Sequence, residues 1–554
     1  MSTQSEVELK FLVPQAAREA IALQMSRKSA SLERRTLAAL YLDTADRRLA
    51  RAGLAWRLRR EGRRWIQTLK AACTGTLERF EHEVIRSGPS HDAAAHAGTR
   101  PGDRLLRILR TAEKDGLEVG VRFRAEVKRV TRRVRIKGAV VEVAFDEGRL
   151  VADGSKLRLR ELEMELVSGS LLPMLAMAER WQKRFGLVYD PRSKAERGDN
   201  LSQGLATTPL RKSRTPSYAK DATALDAFGT VLDECLAHVH RNAIGLVDGG
   251  EDLRGDHVHQ LRVGIRRLRT ALRAFEDWVP PAPLPLVNGL RDLFAELGKA
   301  RDSDVLQDGV VAELTKVGAP PLTIVSPEGG AEPVAIVRAL DAQQVLVAWI
   351  TWRAGLVTAS ASAPAATPQP PTGAGSPQGG SPGGGDFRGF SDQDGGEVEL
   401  AAAEAAEAAD DDSRDGKGEQ PVLPEEPFRH KAEARLRRWH RRIVRDYKTF
   451  KDLSEEDLHS LRKRIKRQRY AVEFFSPLMR GRDVVRYLAP LAVIQDRMGE
   501  LNDLFVARAR YQALVDADPA AWFALGWLAA RVDEVRRRAE TDLERFAKAG
   551  PPGR

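Results

Sequence analysis

The sequence predicts an α+β multidomain chain: an N-terminal closed antiparallel β-barrel with flanking helices, then an all-α part made of two pseudo-symmetric helical bundles. Three observations carry this. Segments of the first two hundred residues alternate charged and apolar side chains at period two, the period of a strand. Beyond about residue 220, apolar residues recur at helical spacing. Within that helical part, a motif beginning at Val258 returns at Leu458.

The first strand sets the design. Glu6, Glu8 and Lys10 share one face, while Val7, Leu9 and Phe11 share the other. A helix is expected from Pro14 to Lys28, opened by its proline. Strands follow at Tyr41 to Thr44, Leu54 to Arg59 and Trp65 to Lys70, the last two joined across Glu61 and Gly62 as a hairpin. Phe80 to Ile85, Val119 to Ile136, Val140 to Phe145 and Leu159 to Val167 supply further strands, with helices near Asp103 to Ala112 and Leu171 to Phe185. Arg57 and Arg59, Glu81 and Glu83, Glu142 and Asp146, and Glu161, Glu163 and Glu165 repeat the alternation. A solvated face with cross-strand ion pairs explains one such strand. Five strands of one design instead indicate a barrel with its apolar face outward under helices and a charged tunnel inside. Carboxylates at this spacing are hard oxygen ligands suited to Mg²⁺ or Mn²⁺, and the interleaved arginines and lysines are phosphate donors. Trp56 falls opposite Arg57 and is expected in the core, leaving no aromatic on the tunnel face; that disfavours recognition of a base.

Composition agrees with an acidic partner. The 554 residues are 30% charged and 42% hydrophobic with a net charge of +11, and the pI is about 9.6. Nucleic acid, an anionic membrane and polyphosphate all qualify on charge, but no recognised nucleic-acid module is present. Cys73 and Cys235 form no CxxC or Cys/His cluster, which points to a reducing compartment without zinc. Neither a secretory leader pattern nor an apolar run long enough to span a bilayer is evident, so a cytoplasmic location is expected.

Residues 203–219 read as a basic Pro/Ser/Thr linker, and 220–545 as helical. In the repeat, His259, Arg262, Arg266 and Arg269 form one stripe at i, i+3, i+7 and i+10, and His459, Arg462, Lys466 and Arg469 form its counterpart. Acids are absent from Arg262 to Phe275 and from Arg462 to Val472, so these cations are expected to await an anion. Residues 359–422, rich in Ala, Pro, Gly and Ser and then acidic, are expected to be a disordered insertion between the bundles.

Residues 1–202 resemble a CYTH domain, the triphosphate tunnel metalloenzyme family. The resemblance rests on Glu6, Glu8 and Lys10 in its E-x-E-x-K signature, followed in order by Tyr41 to Thr44, Arg57 and Arg59, Lys70, Glu81 and Glu83, Asp146 and Gly148, Glu161 to Glu165, and Ser193 with Lys194. It implies hydrolysis of inorganic triphosphate with Mg²⁺ or Mn²⁺. The implied catalytic set is Glu6, Glu8, Lys10, Arg57, Arg59, Lys70, Glu81, Glu83, Arg129 and Lys194, with Glu6, Glu8, Asp146, Glu161, Glu163 and Glu165 as metal ligands. Thiamine triphosphatase and class IV-type adenylate cyclase resemble it equally in this half. The second half resembles a CHAD domain, a conserved-histidine helical domain, and this implies polyphosphate binding by the two stripes and association with polyphosphate granules. A non-catalytic polyphosphate-anchoring protein is the alternative outside enzymology.

Overall fold

The computed structural model describes residues 2–27, 30–72, 77–205, 207–299, 310–320, 331–362 and 427–551. Cys73, Asp302, Asp304 and nearly all of the expected insertion lie outside them; only 359–362 are described, as the end of a helix.

Eight strands close on themselves: β1 (Ser2–Leu12), β2 (Glu33–Thr44), β3 (Leu54–Glu61), β4 (Arg64–Ala72), β5 (Glu78–Arg86), β6 (Val119–Ile136), β7 (Ala139–Ala152) and β8 (Ser155–Gly169). Their order is β5-β4-β3-β2-β6-β7-β8-β1, and β1 returns to β5, so no edge is left. Every pairing is antiparallel, including that of the short β9 (Val188–Tyr189) with the end of β1. The β3–β4 hairpin turns at Gly62, whose φ of 59° is the left-handed conformation glycine allows without strain.

Helices cover the outer apolar faces. Leu9, Phe11, Val143, Phe145, Leu162 and Met164 pack beneath α1 (Arg18–Met25) and α4 (Leu171–Phe185). Trp56, Leu58 and Leu69 pack beneath α3 (Arg100–Lys114), as expected of Trp56. Each such fully buried side chain contributes about 1.5–3 kcal/mol. The short helix α2 (Arg48–Arg51) occupies the expected turn region, and its first N–H groups are held by Asp43, which accepts from Leu49 N and Ala50 N at 2.9 Å.

The barrel interior is not polar throughout. Leu37, Ala39, Tyr41, Phe123, Ala125 and Val127 form an inner apolar cluster against α5 (Lys194–Ser202). Gly198 of α5 lies on the Phe123 ring, where an added Cβ would come within 2.1 Å, and that ring is stacked on Tyr41 at 4.3 Å. Gly198→Ala is therefore expected to destabilise the protein by about 1–3 kcal/mol, the usual scale of overpacking, read from its urea unfolding midpoint.

The helical part begins with α6 (Ala224–Asp248), α7 (Arg254–Ala274) and α8 (Leu284–Lys299). Short helices α9 (Ala312–Lys316) and α10 (Pro333–Arg338) lead to α11 (Leu340–Ser362), then α12 (Phe428–Lys448), α13 (Glu455–Phe475), α14 (Gly481–Leu514) and α15 (Ala521–Ala549). The repeated motifs are α7 and α13, of 21 residues each, with Leu261, Ile265, Leu461 and Ile465 equivalently buried. The two halves do not have separate cores: Phe228, Phe275, Phe428 and Phe475 join them in one apolar cluster. Barrel and helical part are likewise one compact unit, with Val347 and Ile350 of α11 buried among the outer barrel residues.

Candidate functional site

The barrel encloses most of a cavity of about 1340 Å³, larger than the roughly 300–1,000 Å³ of an ordinary small-molecule pocket. Its walls carry both signs of charge because inward positions on neighbouring strands fall in register. Glu8 lies opposite Glu165, and Lys10 opposite Glu163. Arg57 lies opposite Thr68, and Lys70 opposite Glu81.

The cations of the bore are matched with carboxylates. Lys70 Nζ donates to Glu6 at 2.6 Å and lies 3.3 Å from Glu81. Arg57 and Arg59 each reach Glu81 or Glu83 at 3.3 Å. Arg79 donates to Glu8 at 2.6 Å, and Lys10 bridges Glu8 and Glu163 at 3.7 and 3.5 Å. Arg129 clasps Asp146 with two hydrogen bonds of 2.7 and 2.6 Å and also holds Glu163. Lys194 meets Asp146 and Glu163 at 2.8 Å and also pairs with Glu161, whose other oxygen accepts from Arg197 at 3.1 Å.

These neighbours set the charge states. Burial alone would raise the Glu8 carboxyl, but Lys10 and Arg79 hold it at about 2, so it is an anion. Burial raises Glu165 to about 8, reinforced by the Glu6 carboxylate. Glu163 is buried too, yet Lys194 and Arg129 bring it well below the carboxylate range.

The structure brings Glu6, Glu8, Lys10, Arg57, Arg59, Lys70, Glu81, Glu83, Arg129, Glu163, Glu165 and Lys194 to this one cavity. Asp146 and Glu161 stand apart: both are wholly buried behind Lys194 and are not on its wall. Sequence reasoning passed over Arg79, although it sits two residues before Glu81 on the same alternation, and Arg197, one helical turn after Lys194. The expectation of a tunnel without aromatics is corrected, because Tyr41 and Phe123 line the cavity. They are stacked on each other and only 6% and 5% exposed, so neither offers a face to a base.

The donor set fits a hard divalent cation. Glu6, Glu8, Glu163 and Glu165 present carboxylate oxygens along the cavity, while those of Asp146, Glu161 and Glu163, within 4.8 Å of one another, converge on the Lys194 ammonium.

A second cationic site lies where α7 meets α13. Burial and the neighbouring Arg266, Arg462 and Arg262 bring Lys466 down to about 6, which requires the two stripes to converge. Arg262 and Arg266 lie over the Phe294 ring, 4.4 and 5.5 Å from its centre, and Arg262 donates to the Phe294 carbonyl at 3.2 Å. The expectation of cations without partners is corrected in part. Arg469 pairs with Glu473 one turn along its own helix at 3.2 Å, the His459 ring meets Asn502 at 2.9 Å, and Asp503 acts on both Arg462 and Lys466. The acids that temper this cluster lie just beyond the acid-free stretch and on α14. Half-buried His259 and Arg269 occupy the same stripe of α7.

A closed antiparallel barrel lined by matched acids and bases, followed by a helical repeat with a shared cationic seam, defines the class to which the chain belongs. The family model described as CYTH domain matches residues 4–198, and that described as CHAD domain matches residues 230–370 and 393–512. The chain carries a CYTH domain followed by a CHAD domain. Its structure is similar to that of the CHAD domain from the plant Ricinus communis, at 26% identity and a TM-score of 0.37, over 62% of this chain and 99% of that one. It is also similar to a putative adenylate cyclase from Bacillus halodurans, at 15% identity and a TM-score of 0.25, over 36% of this chain and 98% of the other. A putative adenylyl cyclase from Hippeastrum, described as having a dominant triphosphatase activity, matches at 20% identity and a TM-score of 0.27, over 36% of this chain and 96% of that one. Among the described residues, no helix is long and apolar enough to cross a membrane.

Proposed function

We propose that the barrel hydrolyses inorganic triphosphate and short linear polyphosphate with Mg²⁺ or Mn²⁺, and that the helical part binds polyphosphate. The observation that carries this is the pairing of acids with bases around a closed bore. A bare polyanion drawn to Arg57, Arg59, Lys70, Arg129 and Lys194 would strip those cations from Glu6, Glu81, Glu83 and Glu163, leaving buried carboxylates without counter-charge. A triphosphate arriving with a divalent cation satisfies both sets at once.

In this reading Glu6, Glu8, Glu163 and Glu165 hold the metal, which when bound neutralises charge developing on the phosphoryl oxygens. Asp146 and Glu161 fix Lys194 and Arg129 from behind. The arginines and lysines hold the phosphoryl oxygens, and the acidic side orients a water whose oxygen attacks the terminal phosphorus as the bridging P–O bond breaks. Phosphate and pyrophosphate leave from triphosphate. The covered Tyr41–Phe123 pair favours an inorganic chain over a nucleotide.

Triphosphate, longer polyphosphate, ATP and thiamine triphosphate assayed side by side with each metal test the reading; turnover confined to the last two, or absent from all four, rejects it. Arg57→Ala should lower kcat/KM for triphosphate by about 10²-fold, the scale of losing one preorganised donor. An unchanged value would remove this arginine from the site.

A further inference from the structure

The cavity wall does not end with the barrel. It continues along the segment after α5 and onto α6 through Arg211, Arg214, Pro216, Glu234, Ala237 and Arg241. The sequence marked residues 203–219 as a linker, but the structure fastens them at Thr208, Arg211 and Arg214. Glu234 accepts from Arg211 Nη2 and from Arg214 N, both at 2.7 Å. Asn242 Nδ2 donates to the Arg211 carbonyl at 2.8 Å, and Arg211 N donates to Asn242 Oδ1 at 3.3 Å. The Thr208 carbonyl accepts from His257 Nε2 of α7 at 3.0 Å. Arg192, 2% exposed and leading out of the barrel, donates to Thr208 Oγ1 and Asp248 at 2.6 Å and to Asp190 at 2.8 Å.

The charges on this wall are mostly matched, Asp233 by Arg353 of α11 at 2.8 Å. Arg241 of α6 pairs with Glu196 of α5, tying helical part to barrel, and Arg211 pairs with Glu234. Both are therefore neutralised in place. Arg214 is exposed, lines the cavity and makes no ion pair with a described carboxylate. It is close enough to Arg211 to help burial lower that group below the usual arginine range. Among the described residues of this wall the only aromatic ring, that of His240, is 1% exposed and packed against Tyr189, so the wall offers charge and no stacking surface. The cavity exceeds what a small ligand needs, and beyond the barrel its wall presents Arg214 as a cation not matched by a described carboxylate.

We propose that the 211–217 segment and α6 form an outer phosphate subsite. When the reacting end of a linear polyphosphate lies among Arg57, Lys70 and Lys194, the units beyond the barrel run along Arg214 and Arg211. The helical part then contributes directly to chain-length selection. This rests on the triphosphatase reading, and its test is chosen to fail separately.

The measurement is the ratio of KM for linear pentaphosphate to KM for triphosphate in the full-length chain, for wild type, Arg214→Glu and Arg214→Lys. Arg214→Glu should raise the ratio about tenfold, the effect of roughly one lost charged contact, while Arg214→Lys keeps it near wild type. An unchanged ratio, or an equal rise for both substrates, overturns the subsite. If wild type hydrolyses neither compound, the triphosphatase reading falls alone, and equilibrium binding of pentaphosphate in Mg²⁺ decides the subsite. The seam on α7 and α13 is identical in all three proteins, so weaker binding by Arg214→Glu supports the proposal and equal binding overturns it.

Discussion

Glu8→Gln should lower kcat for triphosphate by about 10²-fold or more at saturating Mg²⁺ or Mn²⁺, the scale of losing one preorganised electrostatic contact. The side chain reaches the cavity from β1, the strand that closes the barrel between β8 and β5. Lys10 and Arg79 hold its carboxyl at about 2 against the pull of burial, so it presents full negative charge at any physiological pH. Glutamine keeps the volume and one oxygen but removes that charge, leaving Arg79 without its anion and Lys10 with Glu163 alone. Two readouts separate metal binding from folding. The Mn²⁺ concentration for half-maximal activity should rise, whereas the thermal midpoint should move by only a few degrees, because β1 keeps its ladders and its apolar face of Leu9 and Phe11. Turnover within a few-fold of wild type would remove Glu8 from the ligand set and leave Glu6, Glu163 and Glu165 to carry it.

The charged half of the site was readable because a strand's period is two and requires no knowledge of distant contacts. Once Glu6 faces inward, Glu8 and Lys10 must follow, and the same rule applied to β3, β5 and β8 assembles the bore. Applied once more, it would have found Arg79. The rule fails where the two faces do not differ in polarity. Leu37, Ala39 and Tyr41 point inward yet are apolar, because α5 plugs that end of the barrel, so alternation alone could not show aromatics inside. The first half of β2 escaped notice because Glu33, Arg34, Arg35 and Thr36 are all exposed and show no alternation. β9, only two residues long, exists through its pairing with β1. The fastened segment at 203–219 is the clearest case. Its proline, serine and threonine content signals a tether, while the groups that make it a wall, Glu234, Asn242 and His257, come from helices further along the chain. Likewise, acid-free stretches in α7 and α13 were visible, but Glu473 lies one residue beyond the second, and Asn502 and Asp503 sit on α14.

Changing Arg262, Arg266, Arg462 and Lys466 together to Ala should remove most polyphosphate binding by the full-length protein while the fold persists. Each helix keeps its buried stripe, Leu261, Ile265 and Leu268 on α7 and Leu461 and Ile465 on α13, and alanine is the best helix former. Relief of repulsion around Lys466 offsets part of what the lost Phe294 contacts supplied. Two dependences should vanish with the affinity. The first is on salt: the slope of log affinity against log salt should shrink by roughly one for each phosphate contact removed, on the nucleic-acid scale. The second is on pH, and its sign follows from Lys466. Burial, with the neighbouring arginines, lowers that amine to about 6, so in the free protein it is largely neutral from pH 8 to about 7 and about half protonated at 6. A bound polyanion favours the ammonium form, so binding takes up a proton, and linkage requires affinity to rise as pH falls from about 8 toward about 6 and to level off below that. Titration of wild type at pH 8, 7 and 6, in buffers of different ionisation enthalpy, measures both the trend and the proton uptake. A flat wild-type profile would mean that the anion does not reach Lys466. A folded fourfold variant that binds as tightly as wild type would place the polyphosphate site elsewhere on the chain.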